Sequence, residues 1–199
     1  MQIKTLSVGP IRANCYILSL KDRDDCVLID PGAQPERILA AANGMRVAAV
    51  LLTHGHFDHI GAVAGVLAPD TALYIHGLDE PMLRDPGRNM ATMIGQELVV
   101  NAAAVPVKEG EVISAAGIAF AVLHTPGHTP GSVCFMTGKA LFTGDTMFRH
   151  GYGRTDLPGG SWDDLYQSMK RLLLMQKDFD VYPGHDNPTT IGLEQEYFQ

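Results

Sequence analysis

The sequence predicts a mixed α/β (or α+β) fold in which β-sheets are covered by helices. Two observations predict it: short apolar runs separated by turn residues recur along the chain, and amphipathic stretches with helix-start signals interrupt them. The length of 199 residues suits one well-buried domain, so we predict a single domain over 1–199.

The predicted strands are apolar runs of three to six residues bounded by Gly, Pro, Asn or Asp. In chain order they are 3–8, 15–20, 26–29, 47–52, 73–75, 118–123, 133–136 and 139–142. None of these runs is long enough to span a membrane, and the N-terminus lacks the basic start and apolar run of a signal peptide. We therefore expect a cytoplasmic protein that does not associate with membranes.

Three helices are predicted from residues that favour a helix start. These residues and their helices are Pro35 with 36–42, Asp58 with 60–67, and Ser161 with 162–174. The segment 85–96 fits neither a helix nor a strand period, because it mixes Pro, Gly and Arg with methionines. It is interpreted as a surface loop with a short helix that packs its methionines, and the alternative is a flexible lid over a site.

Charge and cysteine content exclude some classes of function. The net charge of −7 gives no reason to expect a nucleic acid or an anionic membrane as partner. The three cysteines, Cys15, Cys26 and Cys134, have no zinc-ribbon spacing and stand beside apolar or aromatic residues. We expect buried, reduced thiols rather than a catalytic cysteine.

The densest group of potential metal ligands is His54-x-His56-x-Asp58-His59, which directly follows the predicted strand 47–52. A strand that ends there puts His54 and His56 on one side of the chain. One metal ion cannot easily accept four adjacent side chains from so tight a loop, whereas two ions a few ångströms apart can divide them. The alternative is a histidine-rich loop in water, but this ordered pattern after a buried strand favours a two-metal site.

Two metal sites need about six or seven protein donors, so further ligands must come from elsewhere in the chain. Three candidates stand at the ends of strand-like runs beside Gly or Pro, which let the backbone turn: His128, Asp145 and His185. Each of them alone has an equally good structural explanation, and together with the first cluster they predict a metal centre where strand ends converge. The other histidines, His76, His124 and His150, are given little weight as site residues. His124 is expected to be a hydrogen-bonded strand histidine, and the alternative for His150, which flanks the arginine-bearing loop, is contact with a substrate.

This ordered set of residues resembles the five signature motifs of the metallo-β-lactamase-fold superfamily. The matching positions run from the strand before Asp30 to His185. The resemblance implies a four-layer αβ/βα sandwich, in which two sheets pack face to face between helices.

The resemblance also implies a role for each residue. The first metal ion would be held by His54, His56 and His128, and the second by Asp58, His59 and His185. Asp145 would bridge the two ions together with a water or hydroxide, so Asp58 and Asp145 would be catalytic residues. Asp30 would orient a ligand histidine from behind, and the alternative is that Asp30-Pro31-Gly32 simply forms a turn.

Position 145 and the segment around Arg154 indicate which branch of the superfamily the sequence resembles. The dizinc β-lactamases most often discussed carry a cysteine at the position of Asp145, which argues against antibiotic hydrolysis. The segments 144–148, 151–156 and 182–185 resemble glyoxalase II (hydroxyacylglutathione hydrolase) and its short relatives, which hydrolyse glutathione thioesters such as S-lactoylglutathione. Because little sequence follows His185, we expect no C-terminal glutathione-binding helical domain.

The expected activity is therefore the hydrolysis of a small-molecule thioester by a hydroxide that bridges two divalent metal ions. Zinc suits the mixed nitrogen and oxygen ligands, and iron and manganese also fit. Arg154 is a candidate anchor for a substrate carboxylate, and pairing with Asp156 is the alternative. Two other functions stay open: an iron-dependent persulfide dioxygenase of the same superfamily, and a non-catalytic metal-binding domain.

Overall fold

Two six-stranded β-sheets form the centre of the computed structural model, which describes all residues from 1 to 199. The strands of the first sheet, in spatial order, are β1 (Gln2–Val8), β2 (Ala13–Ser19), β3 (Asp25–Ile29), β4 (Arg46–Leu51), β5 (Ala72–His76) and β6 (Val105–Val107). Strand β2 pairs antiparallel with both β1 and β3, whereas β4, β5 and β6 continue the sheet parallel to β3.

The second sheet is formed by the C-terminal half of the chain. Its strands are β7 (Val112–Ala115), β8 (Ile118–His124), β9 (Val133–Thr137), β10 (Ala140–Gly144), β13 (Asp180–Pro183) and β14 (Thr189–Thr190), in the spatial order β14-β13-β10-β9-β8-β7. A separate two-stranded hairpin pairs β11 (Met147–Phe148) with β12 (Gly151–Tyr152).

Five α-helices cover the sheets: α1 (Pro35–Ala41), α2 (Phe57–Ile60), α3 (Val63–Val66), α4 (Trp162–Leu172) and α5 (Ile191–Tyr197). Two short 3₁₀ helices lie between β5 and β6, at Glu80–Arg84 and Ala91–Ile94. None of the helices in the structure is both long and apolar enough to cross a membrane.

Three separate apolar clusters show how these elements are layered. Strand β3 is buried along its whole length, and its side chains alternate between two clusters. Cys26 and Leu28 pack with residues of α1 and α3, whereas Val27 and Ile29 pack with the aromatic core of the second sheet. A third cluster joins the outer face of the second sheet to α4 and α5. The predicted four-layer α/β arrangement of helix, sheet, sheet and helix is therefore confirmed.

The predicted strands are all present, with boundaries that differ by one or two residues. The helix beginning after Ser161 is also confirmed, and the Ser161 hydroxyl accepts a hydrogen bond from the backbone N–H of Asp164. The predicted helix over 60–67 is wrong, because α2 and α3 replace it and Asp58 does not cap either of them. The backbone N–H of Ala62 donates to the carbonyl of Pro31 instead of continuing the helix.

The strand directions bring the C-terminal ends of several strands from both sheets to one common edge of the molecule. Parallel strands end at a common edge, and β8, β10 and β13 run the same way because β9 reverses between the first two. Polar segments follow these ends: Asp30 after β3, residues 53–59 after β4, residues 125–131 after β8, Asp145 after β10 and His185 after β13.

Candidate metal centre

Three histidines of the first predicted ligand set converge at this edge. His54 and His56 lie in the loop after β4, and His128 comes from the turn after β8. One ring nitrogen from each lies within 4.8 Å of the others, and Nδ1 of His56 is 2.9 Å from Nε2 of His128. We call these residues the first triad. It draws on both sheets, and all three side chains are buried.

The second predicted ligand set converges beside it. A carboxylate oxygen of Asp58 lies 3.3 Å from Nε2 of His59 and 3.2 Å from Nε2 of His185. These three residues, the second triad, combine helix α2, which follows β4, with a residue that follows β13 of the second sheet. Their ligand atoms also lie within 4.8 Å of one another.

Asp145 lies between the two triads. Its Oδ2 atom is 3.5 Å from Nε2 of His128 and 3.6 Å from Nε2 of His185, while Oδ1 is 3.4 Å from Nε2 of His59. A single carboxylate therefore reaches ligand nitrogens of both triads, which is the arrangement needed to bridge two cations.

Hydrogen bonds to the ring nitrogens that face away from the centre orient two of the ligand histidines. Nδ1 of His59 is 2.9 Å from Oδ2 of Asp30, and the same carboxylate accepts hydrogen bonds from the backbone N–H and the hydroxyl of Thr53. Nδ1 of His128 donates to the backbone carbonyl of Arg154 at 2.7 Å. Such contacts fix which ring nitrogen is free to bind a metal. Asp30 thus does more than form a turn.

The orphaned atoms of the site test whether a metal would fit. Buried polar atoms almost always have a hydrogen-bond partner. Here four buried side-chain atoms have none: Nε2 of His54, His56 and His59, and Oδ1 of Asp145. All four belong to the two triads or to Asp145, and nitrogen and carboxylate oxygen donors suit a divalent metal ion. The residues present therefore fit a metal centre.

The motifs at these positions agree with a comparison against protein families. A family model described as the metallo-beta-lactamase superfamily matches residues 8–185, which include every residue of the metal centre. The chain belongs to the metallo-β-lactamase superfamily.

Relatives within the superfamily cover nearly the whole chain. Hydroxyacylglutathione hydrolase GloC of Haemophilus influenzae is 34% identical and aligns over 98% of this chain and 95% of its own length. The crystal structure of the BLEG-1 B3 metallo-beta-lactamase has a TM-score of 0.91, is 35% identical, and covers 98% of this chain and 97% of its own. TTHA1623, solved in a di-iron-bound form, has a TM-score of 0.87 at 40% identity, with 98% coverage of both chains.

The pKa values of two first-triad histidines are lowered, whereas those of the second-triad histidines are raised. Burial lowers the pKa of His54 well below its usual 6.5, and the neighbouring histidines His59 and His128 lower it further. Burial and His128 lower the pKa of His56 to about 3. These two rings therefore stay neutral at physiological pH, which is the form that binds a metal.

In the second triad the pKa values of the histidines shift in the opposite direction. Burial alone would lower the pKa of His59, but the surrounding carboxylates, with Asp58 first among them, raise it well above 6.5. Burial acts in the same way on His185, but its hydrogen bond to Asp58 and the charge of Asp145 raise its pKa overall. Burial alone would raise the pKa of Asp58 and of Asp145, but the charges of the histidines lower both. Metal binding at this triad must therefore displace protons.

Arg154 lies at the edge of the centre, on the loop after β12. Its guanidinium makes two hydrogen bonds of 2.7 Å to the carboxylate of Asp156, and both side chains are exposed. The structure thus contains the ion pair that the sequence offered as the alternative to a substrate anchor. A role in substrate binding stays a prediction, and the backbone of Arg154 has the separate role of orienting His128.

The remaining histidines and the cysteines lie outside the centre. His124 at the end of β8 hydrogen bonds through Nε2 to the carbonyl of Pro130, and its ring stacks on His76 at 4.2 Å. His150 stacks on Tyr197. The cysteines are buried and free, and burial raises the pKa of Cys26 and of Cys134 to about 11. Each of these three histidines thus has a stacking or hydrogen-bonding partner outside the centre.

The segment 85–96 contains the expected short helix, but only one of its two methionines packs into the protein. Met90 is buried, whereas Met93 is 65% exposed. The backbone carbonyl of Asn89 accepts a hydrogen bond from the N–H of Phe57, which ties the segment to the ligand loop. Ile94 and Gln96 line a cavity of about 210 Å³ whose walls also include Asp58. The segment therefore borders the metal centre.

Sequence reasoning missed two polar residues that support the ligand loops. Thr53 joins Asp30 to the first histidine of the motif, since its hydroxyl is 3.1 Å from Nδ1 of His54. Asp79 is fully buried beside both loops of the first triad. The signal for Asp79 was the same as for the ligands, because it follows the end of a buried strand, β5.

Proposed function

We propose that this chain is a two-metal hydrolase that cleaves small-molecule hydroxyacyl thioesters, in the manner of glyoxalase II. The observation that carries the proposal is Asp145, whose carboxylate reaches ligand nitrogens of both triads. The identity of 34% to a hydroxyacylglutathione hydrolase over nearly the whole chain supports the substrate class.

The residues would divide the work as follows. His54, His56 and His128 would hold one ion, Asp58, His59 and His185 the other, and Asp145 both. Divalent ions bound there supply Lewis acidity and lower the pKa of a coordinated water towards neutrality. Zinc suits these donors, and the di-iron form of TTHA1623 makes iron the second metal to consider.

The rest of the chain orients these groups. Asp30 and the carbonyl of Arg154 hold His59 and His128 with Nε2 directed into the centre. The carboxylates of Asp58 and Asp145 offset the charge of the ions. The free cysteines and the absence of any disulfide support a reducing compartment such as the cytoplasm. The partner would be a small thioester, and no nucleic acid is expected.

The direct test is a hydrolysis screen with protein reconstituted with zinc, iron or manganese. The substrates are S-lactoylglutathione, an acyl thioester that lacks the glutathione peptide, and a β-lactam, which the likeness to BLEG-1 makes a necessary comparison. We expect metal-dependent release of thiol from at least one thioester. β-Lactam cleavage without thioester cleavage would overturn the proposal, as would oxygen consumption with glutathione persulfide in place of hydrolysis.

The pH dependence of metal binding follows from the second triad. The pKa of His59 is raised well above 6.5, so this ring is protonated at neutral pH when no metal is bound, and the pKa of His185 is raised as well. The metal needs neutral rings, so binding releases protons and the affinity falls as the pH drops. We expect zinc binding at pH 7 to release on the order of one proton or more, measured by calorimetry in buffers of different ionisation enthalpy.

Activity should follow the same trend. Because the pKa of His59 is raised well above 6.5, protons already compete with the metal at neutral pH, and the rate should fall further as the solution becomes acidic. Metal content measured on the same samples separates loss of the ion from protonation of the substrate. A constant rate from pH 7 to pH 5 with full metal content would contradict this expectation.

Arg154→Ala tests the substrate-anchor prediction. If the guanidinium leaves Asp156 to bind a substrate carboxylate, the variant should raise KM for an acidic thioester by about tenfold, the loss of one charge-assisted pair, with kcat nearly unchanged. The KM for a neutral thioester should stay the same. Arg84→Ala, which removes another exposed, ion-paired arginine, is the matched control. Equal KM values for the acidic substrate in both variants would leave Arg154 with only its pair to Asp156.

A further inference from the structure

Asp79 is a buried carboxylate that the proposed chemistry does not use. It follows β5 in the turn Gly77-Leu78-Asp79, and its side chain is fully buried. No Lys or Arg pairs with it; its partners are two backbone N–H groups and one hydroxyl. Burial raises the pKa of Asp79, and these three donors oppose that change by favouring the ionised form.

The three donors belong to two different loops. Oδ2 accepts hydrogen bonds from the N–H of Gly55 at 3.1 Å and from the hydroxyl of Thr129 at 2.7 Å. Oδ1 accepts a hydrogen bond from the N–H of Gly131 at 2.7 Å. Gly55 stands between His54 and His56, and Thr129 directly follows His128. One carboxylate therefore holds both loops that carry the first triad.

The fit around the carboxylate is close. A Cβ atom at Gly131 would lie 2.5 Å from Oδ1 of Asp79, so the backbone can approach only because this residue is glycine. By contrast, no direct hydrogen bond joins Asp79 to Asp58, His59 or His185. The hydrogen bonds of Asp79 are thus made directly beside the first-triad ligands, and only the segment of Gly55 continues to Asp58 and His59.

We propose that Asp79 is a positioning residue that sets the metal affinity of the first triad and leaves that of the second nearly unchanged. It brings the loop of His54 and His56 against the loop of His128, so that the three ring nitrogens meet before a metal arrives. A buried carboxylate is costly unless it is hydrogen-bonded, and all three of its hydrogen-bond donors here lie in these two loops. This inference rests on the metal centre of the proposed function and is independent of the thioester substrate.

The test is a titration of the metal-free protein with zinc(II) in competition with a chromophoric chelator. Asp79→Asn keeps the shape of the side chain but turns one acceptor into a donor that faces an N–H group or a hydroxyl. The substitution is made in two backgrounds: His185→Ala, which leaves the first triad intact, and His56→Ala, which leaves the second intact. We expect the zinc affinity to fall about 10- to 100-fold in the first background and less than about twofold in the second.

Two further variants separate positioning from a general loss of stability. Thr129→Val removes one of the three donors, and we expect it to weaken zinc binding at the first triad by about three- to tenfold, as for one hydrogen bond. It replaces the Asp79 variant if that protein does not fold. Asp25→Asn is the matched control, because Asp25 is also a buried carboxylate but pairs with Arg23 and Arg46. We expect Asp25→Asn to leave zinc affinity unchanged.

A selective loss at the first triad supports the proposal. Unchanged affinity there, or an equal loss in both backgrounds, overturns it, and so does an equal loss in Asp25→Asn. A protein that binds two zinc ions in this Asp79-dependent way but cleaves no thioester would refute the proposed function alone.

Discussion

Asp145→Ala should abolish hydrolysis and reduce the bound metal from two ions to one or none per chain. The carboxylate lies within 3.6 Å of ligand nitrogens from both triads. Partners that merely orient a ligand contribute about 10- to 100-fold, so loss of the residue that would bind both ions should exceed about 10³-fold in kcat/KM. Stopped thiol-release assays and elemental analysis of the same preparation measure both effects.

Two variants show whether the loss comes from the bridge. Asp145→Asn keeps the shape but not the charge, and we expect it to retain more metal than Asp145→Ala while staying far below the wild-type rate. Asp178→Ala removes an exposed carboxylate that pairs only with Lys139, and it should behave as the wild type. Full activity or two tightly bound ions in Asp145→Ala would rule out a bridging role.

Gly32→Ala should have the largest effect on stability of any small substitution near the site. A Cβ atom at this position would lie 1.5 Å from the backbone carbonyl oxygen of Asp58 and 2.5 Å from its carbon. Both neighbours are main chain, so no rotamer change relieves the clash, and the ligand loop itself must move. We expect a loss of at least about 3 kcal/mol in the free energy of unfolding, the upper end of overpacking costs, together with loss of metal from the second triad.

Gly77→Ala is the matched control for this substitution. Gly77 has ordinary backbone angles, and a methyl group added there would meet Cβ of Pro106 as its nearest neighbour at 3.7 Å, a normal van der Waals distance. The unfolding free energy of this variant, measured by denaturant titration, should stay within about 0.5 kcal/mol of the wild type. If the two variants unfold alike, the contact between Gly32 and the Asp58 backbone is not as rigid as the structure indicates.

The local pattern of apolar runs between turn residues predicted most of the fold, because a buried strand requires such a run. Strand β3 could be predicted from the four consecutive apolar residues 26–29, and its burial on both faces explains why apolar residues do not alternate with polar ones there. The helix after Ser161 was predictable from its cap. Strand β14 and the hairpin of β11 and β12 were not, because each contains only two residues per strand and depends on tertiary contacts.

The split of the predicted helix after Asp58 has a similar cause. The interruption comes from a hydrogen bond between Ala62 and Pro31, which are far apart in the chain and adjacent only in the fold. Local propensity contains no information on that contact.

The metal centre was more predictable from sequence than its supports. Histidine and aspartate at strand ends reveal potential ligands by residue type and order. The contacts behind them involve a threonine hydroxyl at position 53, a backbone carbonyl at position 154 and the carboxylate of Asp79. Threonine hydroxyls and backbone carbonyls occur throughout any sequence, so only the three-dimensional arrangement distinguishes those at positions 53 and 154, whereas Asp79 follows a strand end as the ligands do.

The origin of each triad in both sheets has a consequence for folding. If ions bind there, they cross-link the N-terminal and C-terminal halves of the chain, and the folded state gains free energy in proportion to the logarithm of the free metal concentration. The melting temperature would then rise with the free metal concentration. In a metal-poor cell, the same dependence would make the lifetime of the protein, and not only its activity, a function of the metal available to it.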